Sequence, residues 1–490
     1  MLKSGCPSSS SVDECELFLL RQAVDKASTE VKFRITNDPA VRKMIQIVES
    51  FLRKKKLVCY GGTAINALLA KERQFYNYNV DIPDYDFFSP DAMNDCMELA
   101  DIFATKGYEN IDAKSGVHAG TYKVFVNFIP IADVTNLNQQ LFTNLQRDAV
   151  IRDGIKYCPS NFLRMSMYLE LSRPQGDLSR WEKVAKRLML LNTEYPLISE
   201  NCASEILQRK GGLSHGIGEA DMSTVFYMVR DLFIKEECVF FGSYAISLYS
   251  QYMPKERRYA VREIPDFDVL SKNPSVLAEK VRAMVATFFK DKKTSFVNII
   301  VRDGIDDLLK PHYALEWNIV GGEKLIIATV YETMACHSYN EIVMKSLSTK
   351  IRIASIDTIL SFYLLFIYLD KHYYDSNRLI CIAQFLFELQ VHNKLQQKGL
   401  LHRFTTTCYG DQMQLTDIRK EKLALYQRLG NDKESLEYRQ NFMKYSPHQN
   451  AETGMKIKRK RRKHIHKMNG TKRMINRRAR KTLKKSKRGS

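Results

Sequence analysis

The sequence predicts an α+β protein: two related mixed-sheet units in tandem, each followed by a helical segment, and a disordered basic tail. Three observations predict it. A strand, glycine turn and helix followed by an acidic strand occurs twice. Apolar residues at helical spacing fill the segments after each copy. Residues 451–490 hold 18 Lys/Arg and one acid, Glu452. That tail carries +17 of the formal +20, so the other 450 residues carry only +3.

The first copy begins at Leu57–Tyr60, an apolar run of strand length. Gly61-Gly62 breaks it and would let a ligand approach the backbone. Ile65, Leu68 and Leu69 then give helical spacing from Thr63 to Lys71. Free N–H groups at such a helix start favour a phosphate. Asp84 and Asp86 follow, two apart on a strand and therefore on one face, with Tyr85 and Phe87 on the other. Two such carboxylates repel each other unless a cation lies between them, and they are the hard oxygen ligands Mg²⁺ prefers. Ser89-Pro90-Asp91 starts a helix that continues from Met93 to Ala104 and stops at Gly107. Tyr122–Val134 reads as two strands with a turn near Asn127, ending with Asp133 among apolar neighbours. A lone charge is costly to bury there. The competing role for Asp133 is a structural pair with a Lys or Arg.

The second copy is an internal repeat. Val239–Ser247 echoes Val58–Asn66, and Glu263–Ser271 echoes Asp81–Ser89. Gly61 precedes Asp84 by 23 residues and Gly242 precedes Asp266 by 24. Asp266 and Asp268 repeat the acidic pair, whereas Ile327-Ala328-Thr329-Val330 puts Thr329 where Asp133 stands. Glu332 is the competing third carboxylate. With Thr329 in that place the second copy lacks the first copy's third carboxylate and is expected to be a degenerate copy kept for scaffolding, guidance of a ligand or dimer contact.

The ordered trio Asp84, Asp86 and Asp133 after a glycine turn resembles the nucleotidyltransferase superfamily of DNA polymerase beta. The wording of residues 46–200 is similar to the viral poly(A) polymerase catalytic subunits of the mimivirus and African swine fever virus types, and more distantly of poxviruses. The resemblance implies two polymerase-beta-like units. It implies template-independent addition of AMP from ATP to mRNA 3′ ends, with two Mg²⁺ or Mn²⁺ ions on Asp84, Asp86 and Asp133. It places Gly61, Gly62 and Thr63 at the triphosphate and Arg180 and Lys183 at the nucleotide. It also implies a homodimer, a processivity or capping factor as a further partner, and work in the host cytoplasm (the virus factory) or packaging in the virion. CCA addition, oligoadenylate synthesis and a non-catalytic RNA-binding role stay open.

The remaining elements follow in order. Residues 1–45 read as a helical region, 46–150 as the active unit, 151–225 as a helical nucleotide- and RNA-contacting segment. Arg180, Lys183 and Arg187 form a basic stripe on one helix face. Residues 226–340 form the degenerate unit and 341–450 a helical region, whose apolar runs Ile353–Tyr374 and Leu379–Leu389 read as core helices. The tail 451–490 cannot bury enough surface to fold alone. It would bind a phosphate polymer, serve import, or serve packaging. No apolar run is long enough to span a bilayer; Ile359–Leu369 stops at Asp370 after 11 residues. Near the N-terminus, Ser8–Ser11 lie in a stretch without an apolar secretory core, so no signal peptide is expected. Ten cysteines without a C-x-x-C are expected to be reduced, mostly buried thiols, with no zinc site.

Overall fold

The computed structural model describes residues 11–36, 38–77, 81, 83–199, 202, 219–258, 266–290, 295–305, 308–319, 324–344 and 349–447. The basic tail and Glu263–Pro265 of the repeat lie outside them. Helix α1 (Val12–Thr36) leads to α2 (Pro39–Lys55). Asp38 caps α2 by accepting from the Ala40 N–H at 2.7 Å. Its apolar stripe, Val41, Met44, Val48, Phe51 and Leu52, is buried against the first sheet.

That sheet contains β1 (Val58–Tyr60), β2 (Tyr85–Ser89), β3 (Ile111–Ser115), β4 (Thr121–Val126), β5 (Ile129–Asn136), β6 (Val150–Arg152) and β7 (Ile155–Tyr157). A late strand, β16 (Lys444–Tyr445), completes the order β16-β3-β4-β5-β2-β1-β7-β6. Helices α3 (Gly61–Leu68), α4 (Ala92–Thr105) and α5 (Gln139–Arg147) connect the strands. The sheet is mixed: β2 is parallel to β5 and antiparallel to β1. Asn127 and Phe128 both have positive φ, 49° and 65°, and close the two-residue β4–β5 turn expected near Asn127. Past it the register shifts by one residue, leaving Ile131 as a bulge.

Helices α6 (Ser160–Leu171) and α7 (Trp181–Glu194) follow, then α8 (Glu219–Lys235). The second sheet contains β8 (Val239–Phe240), β9 (Phe267–Ser271), β10 (Ser295–Arg302), β11 (His312–Ile319), β12 (Lys324–Glu332), β13 (His337–Met344), β14 (Thr349–Ala354) and β15 (Cys408–Tyr409). Helices α9 (Ser243–Ser250) and α10 (Pro274–Phe288) lie within this unit. The order is β10-β11-β12-β9-β8-β14-β13-β15. Replacing each strand by its repeat partner converts one order into the other, apart from the late edge strands β16 and β15. The architecture is thus the two mixed α+β units that the repeat predicts.

Helices α11 (Ile356–Phe366) and α12 (Ser376–His392) are the expected core helices. Ile353 and Ala354, the first two residues of the expected run Ile353–Tyr374, end β14 instead, which pairs with β13 and β8. Helix α11 packs on α6, so the helices that follow the two sheets meet between them. Across this contact Phe162 and Tyr368 stack edge to face, centroids 5.5 Å apart. The Asn144 side chain donates to the Tyr368 carbonyl at 2.9 Å. Helices α13 (Leu415–Leu429) and α14 (Leu436–Phe442) then return to the first sheet, where β16 pairs with β3.

The cysteines depart from the all-reduced expectation. Cys59, Cys96, Cys158 and Cys238 are free and buried. Cys202–Cys381 and Cys336–Cys408 are disulfides, with Cα atoms 5.3 and 5.1 Å apart. They are 179 and 72 residues apart in sequence, so only the fold brings them together. No described helix is long and apolar enough to cross a membrane.

Candidate active site

The β2–β5 register builds the site. Parallel pairing sets Asp86 beside Asp133, and Asp84 precedes β2 by one residue at the exposed mouth. Strand alternation points Asp86 and Asp133 to the open face while Tyr85, Phe87 and Val134 go into the core. Gly61 has φ +70°, and a Cβ there would lie 2.6 Å from Asp86 Oδ2. A side chain at Gly62 would meet the Tyr76 hydroxyl at 2.5 Å and the Arg187 guanidinium at 3.0 Å. The room expected for a ligand at this turn is therefore occupied by the chain's own Asp86, Tyr76 and Arg187. Thr63 is buried, and its hydroxyl donates to the Asp84 carbonyl at 2.6 Å. It holds Asp84 in place.

The carboxylates crowd one another. Burial, then Asp84 and Asp133, push Asp86 up to about 7, against the pull of Lys123 and Arg180. Asp84 is also raised, by desolvation first and the Asp133 charge second. Asp133 is not a lone charge: the Lys123 ammonium bonds its Oδ2. Lys123 stands directly opposite it on β4.

Helix α7 supplies the opposite sign. Lys183 is held below the usual lysine range, first by Arg187, then by desolvation and Arg180. Asp84 and Glu170 pull the other way. Arg180 pairs with Glu170 at 3.2 Å. Arg187 lies over the Phe75 ring at 4.6 Å and donates to the Tyr76 hydroxyl at 2.8 Å. Asn66 is fully buried and fixes this aromatic loop, accepting from the Phe75 and Tyr76 N–H groups at 2.8 and 3.0 Å. Arg180 lowers Asp86 and Lys183 lowers Asp84 through their charges, so both cations lie within electrostatic reach of the aspartates. Lys123, Arg187 and Tyr76 are additions. Arg187 was visible in the stripe, but its distant aromatic partners were not.

Among the described residues no three His, Cys, Asp or Glu side chains form a ready metal cage. The donor chemistry nevertheless suits a hard divalent cation: crowded oxygen ligands, one of them raised to about 7 by burial first and by its acidic neighbours second. The third carboxylate is closed by Lys123.

The second copy keeps the fold of this site but not its third carboxylate. Thr329 pairs with Asp268 as Asp133 pairs with Asp86, so Thr329 does occupy the third position. Glu332 lies three residues on, opposite Ser271, bonded to Lys310 at 2.5 Å. Ala314 stands where Lys123 does. Asp266 and Asp268 are 4% and 2% exposed, closed off from solvent. Ser243 donates to Asp266 at 2.8 Å and receives from the buried Arg378 at 2.9 Å. Gly242 again makes room for an aspartate: a Cβ there would be 2.5 Å from Asp268 Oδ2.

Residues 46–177 match the poly(A) polymerase catalytic subunit family. A protein carried under that name in Acanthamoeba polyphaga mimivirus is 29% identical over 184 residues, 36% of this chain and 30% of its own. One from African swine fever virus (isolate Tick/Malawi/Lil 20-1/1983) is 29% identical over 181 residues, 36% of this chain and 38% of its own. The match therefore spans about a third of these relatives. The crystal structure of the Megavirus polyadenylate synthase shares the fold, with TM-score 0.72 and 20% identity over 91% of this chain and 88% of that one. The matched residues 46–177 hold the glycine turn and all three aspartates, and over them the chain is similar to the poly(A) polymerase catalytic subunits.

Proposed function

We propose that the chain is a template-independent poly(A) polymerase that transfers AMP from ATP to RNA 3′ ends at the first copy alone. The observation that supports this most is the meeting of Asp84, Asp86 and Asp133 under the basic face of α7. A triphosphate carries the charge that face would attract, and the acidic side is left for cations.

Asp84 and Asp86 would hold Mg²⁺ or Mn²⁺, and Asp133 would join them for a second ion once Lys123 moves off. Such ions neutralise the phosphates and make the 3′-hydroxyl easier to deprotonate. Asp86 must shed its proton before it can serve, which its raised pKa defers to near-neutral pH. Thr63 fixes the backbone of Asp84, and Gly61 seats Asp86. Arg180, Lys183 and Arg187 would receive the triphosphate, close to the turn at Gly61 and Gly62. In the transfer, the 3′-oxygen bonds the α-phosphorus and the α–β phosphoanhydride bond breaks. Pyrophosphate leaves toward the α7 cations, and the hydroxyl proton goes to Asp133 or water. The second copy, with Thr329 in the third position and its acidic pair buried, would act as scaffold, and a homodimer is the assembly we infer.

The test is extension of a labelled, unstructured RNA primer with Mg²⁺ or Mn²⁺ and each NTP in turn. Long products with ATP alone support the reading. Extension by one to three residues ending in CCA, or none by a protein that binds RNA, would displace it.

A further inference from the structure

The open face of the first sheet carries a continuous cross-strand row. Pairing sets Lys114 opposite Lys123, Lys123 opposite Asp133, and Asp133 beside Asp86. With strands about 4.8 Å apart, Lys114 lies roughly 10 Å from Asp133. Beyond the β3–β4 end of this row, helices α13 and α14 wall a cleft of about 500 Å³. Lys114, Lys123, Arg419 and Lys422 line it together with Tyr426 and Phe442, and no Asp or Glu does. Lys422 is partly buried, donates to the Gly116 carbonyl at 2.5 Å, and is held below the usual lysine range by desolvation. Lys114 sits over the Phe125 ring at 4.1 Å. Tyr426 and Phe442 pack with centroids 5.3 Å apart, and Tyr426 is exposed. In the second copy the equivalent row reads Ile300, Ala314, Thr329, Asp268, with no cation in it.

We infer that this cleft is the seat of the single-stranded RNA acceptor, delivering its 3′ end along the row to Asp133. Cations without sequence-reading geometry, interleaved with aromatic rings, are what a backbone-tracking, base-stacking surface needs. Charge complementarity excludes a basic partner, and the row ends on the catalytic acids. The inference rests on the nucleotidyl-transfer reading, but binding can be scored without catalysis.

The experiment uses the full chain and a 5′-fluorescein-labelled A15 RNA. Affinity is read by anisotropy across salt concentrations, and KM for primer and for ATP by extension. Lys114→Gln/Arg419→Gln/Lys422→Gln should flatten the log affinity against log salt slope by about 2 and raise primer KM, leaving ATP KM alone. Tyr426→Ala should raise primer KM roughly 5- to 100-fold, with Tyr426→Phe restoring it. Melting curves confirm that the variants fold. An unchanged slope and primer KM in the triple variant overturns the cleft, including in favour of an acidic peptide, while leaving the polymerase reading intact if the wild type extends RNA. Loss of slope in a protein that extends nothing keeps the cleft and discards the polymerase.

Discussion

The two halves of this molecule are one fold carrying two charge patterns. In the first, the row Lys114, Lys123, Asp133, Asp86 lies on the open face of the sheet. In the second, Ile300, Ala314, Thr329 and Asp268 take those places, and Arg378 reaches the acidic pocket through Ser243. A glycine stands at this turn in both, with φ +70° at Gly61 and −83° at Gly242, because each leaves room for an aspartate, which is a packing requirement. The third carboxylate and the lysines are not packing requirements, and they differ. A glycine and paired aspartates are thus common to both units, and on the proposed function it is the third position that marks the chemistry.

The largest break of this comparison is Thr329→Asp. Thr329 is fully buried, its hydroxyl has no hydrogen-bond partner among the described residues, and Ala314 offers no lysine. An unpaired charge there should cost about 3–5 kcal/mol in urea unfolding and bring no activity. Thr329→Val should stay within about 1 kcal/mol of the parent, since no bond is lost. Next is the α7 face. Lys183→Ala or Arg187→Ala should raise KM for ATP on the order of 10- to 100-fold, the worth of one charged hydrogen bond, in steady-state extension assays. Equal effects on primer KM would move these residues to the RNA.

A smaller effect is the pH dependence of cation binding. Asp86 is raised to about 7, so between the unfolded carboxylate range and that value the folded chain holds a proton the unfolded chain has released. The stability this group contributes is full at low pH and is lost as pH rises through about 7. Mg²⁺ should replace it, so the Mg²⁺-induced rise in Tm should grow from pH 5.5 to 8 in differential scanning fluorimetry. The Asp86→Asn protein should lose that growth. The smallest effect is on stability in Lys123→Met. Its pair with Asp133 is partly exposed, so the loss should be under about 1 kcal/mol, while the extension rate changes.

Much of this was legible. The 23- and 24-residue spacings disclosed the duplication, and strand alternation put the aspartates on one face. Aligning Thr329 with Asp133 from the sequence agrees with the β9–β12 register. Lys123 was not legible, because the bulge at Ile131 shifts the hairpin by one residue. A regular two-residue hairpin would put Ala132, not Asp133, opposite Lys123. Arg187 meets Tyr76 across 111 residues, and β16 reaches β3 across more than 300. No local pattern encodes either. The same holds for the cleft under α13, where Lys422 meets Gly116 across 306 residues.

The most direct test of one working copy and one scaffold copy is ATP-dependent primer extension by Asp133→Ala and by Asp266→Ala/Asp268→Ala, each verified as folded by circular dichroism. The first should lose at least roughly 10²- to 10³-fold in rate, the scale of losing one group that stabilises transition-state charge. The second should extend RNA like the parent. Extension that survives Asp133→Ala, or that stops in a folded Asp266→Ala/Asp268→Ala protein, would contradict the assignment of catalysis to the first copy.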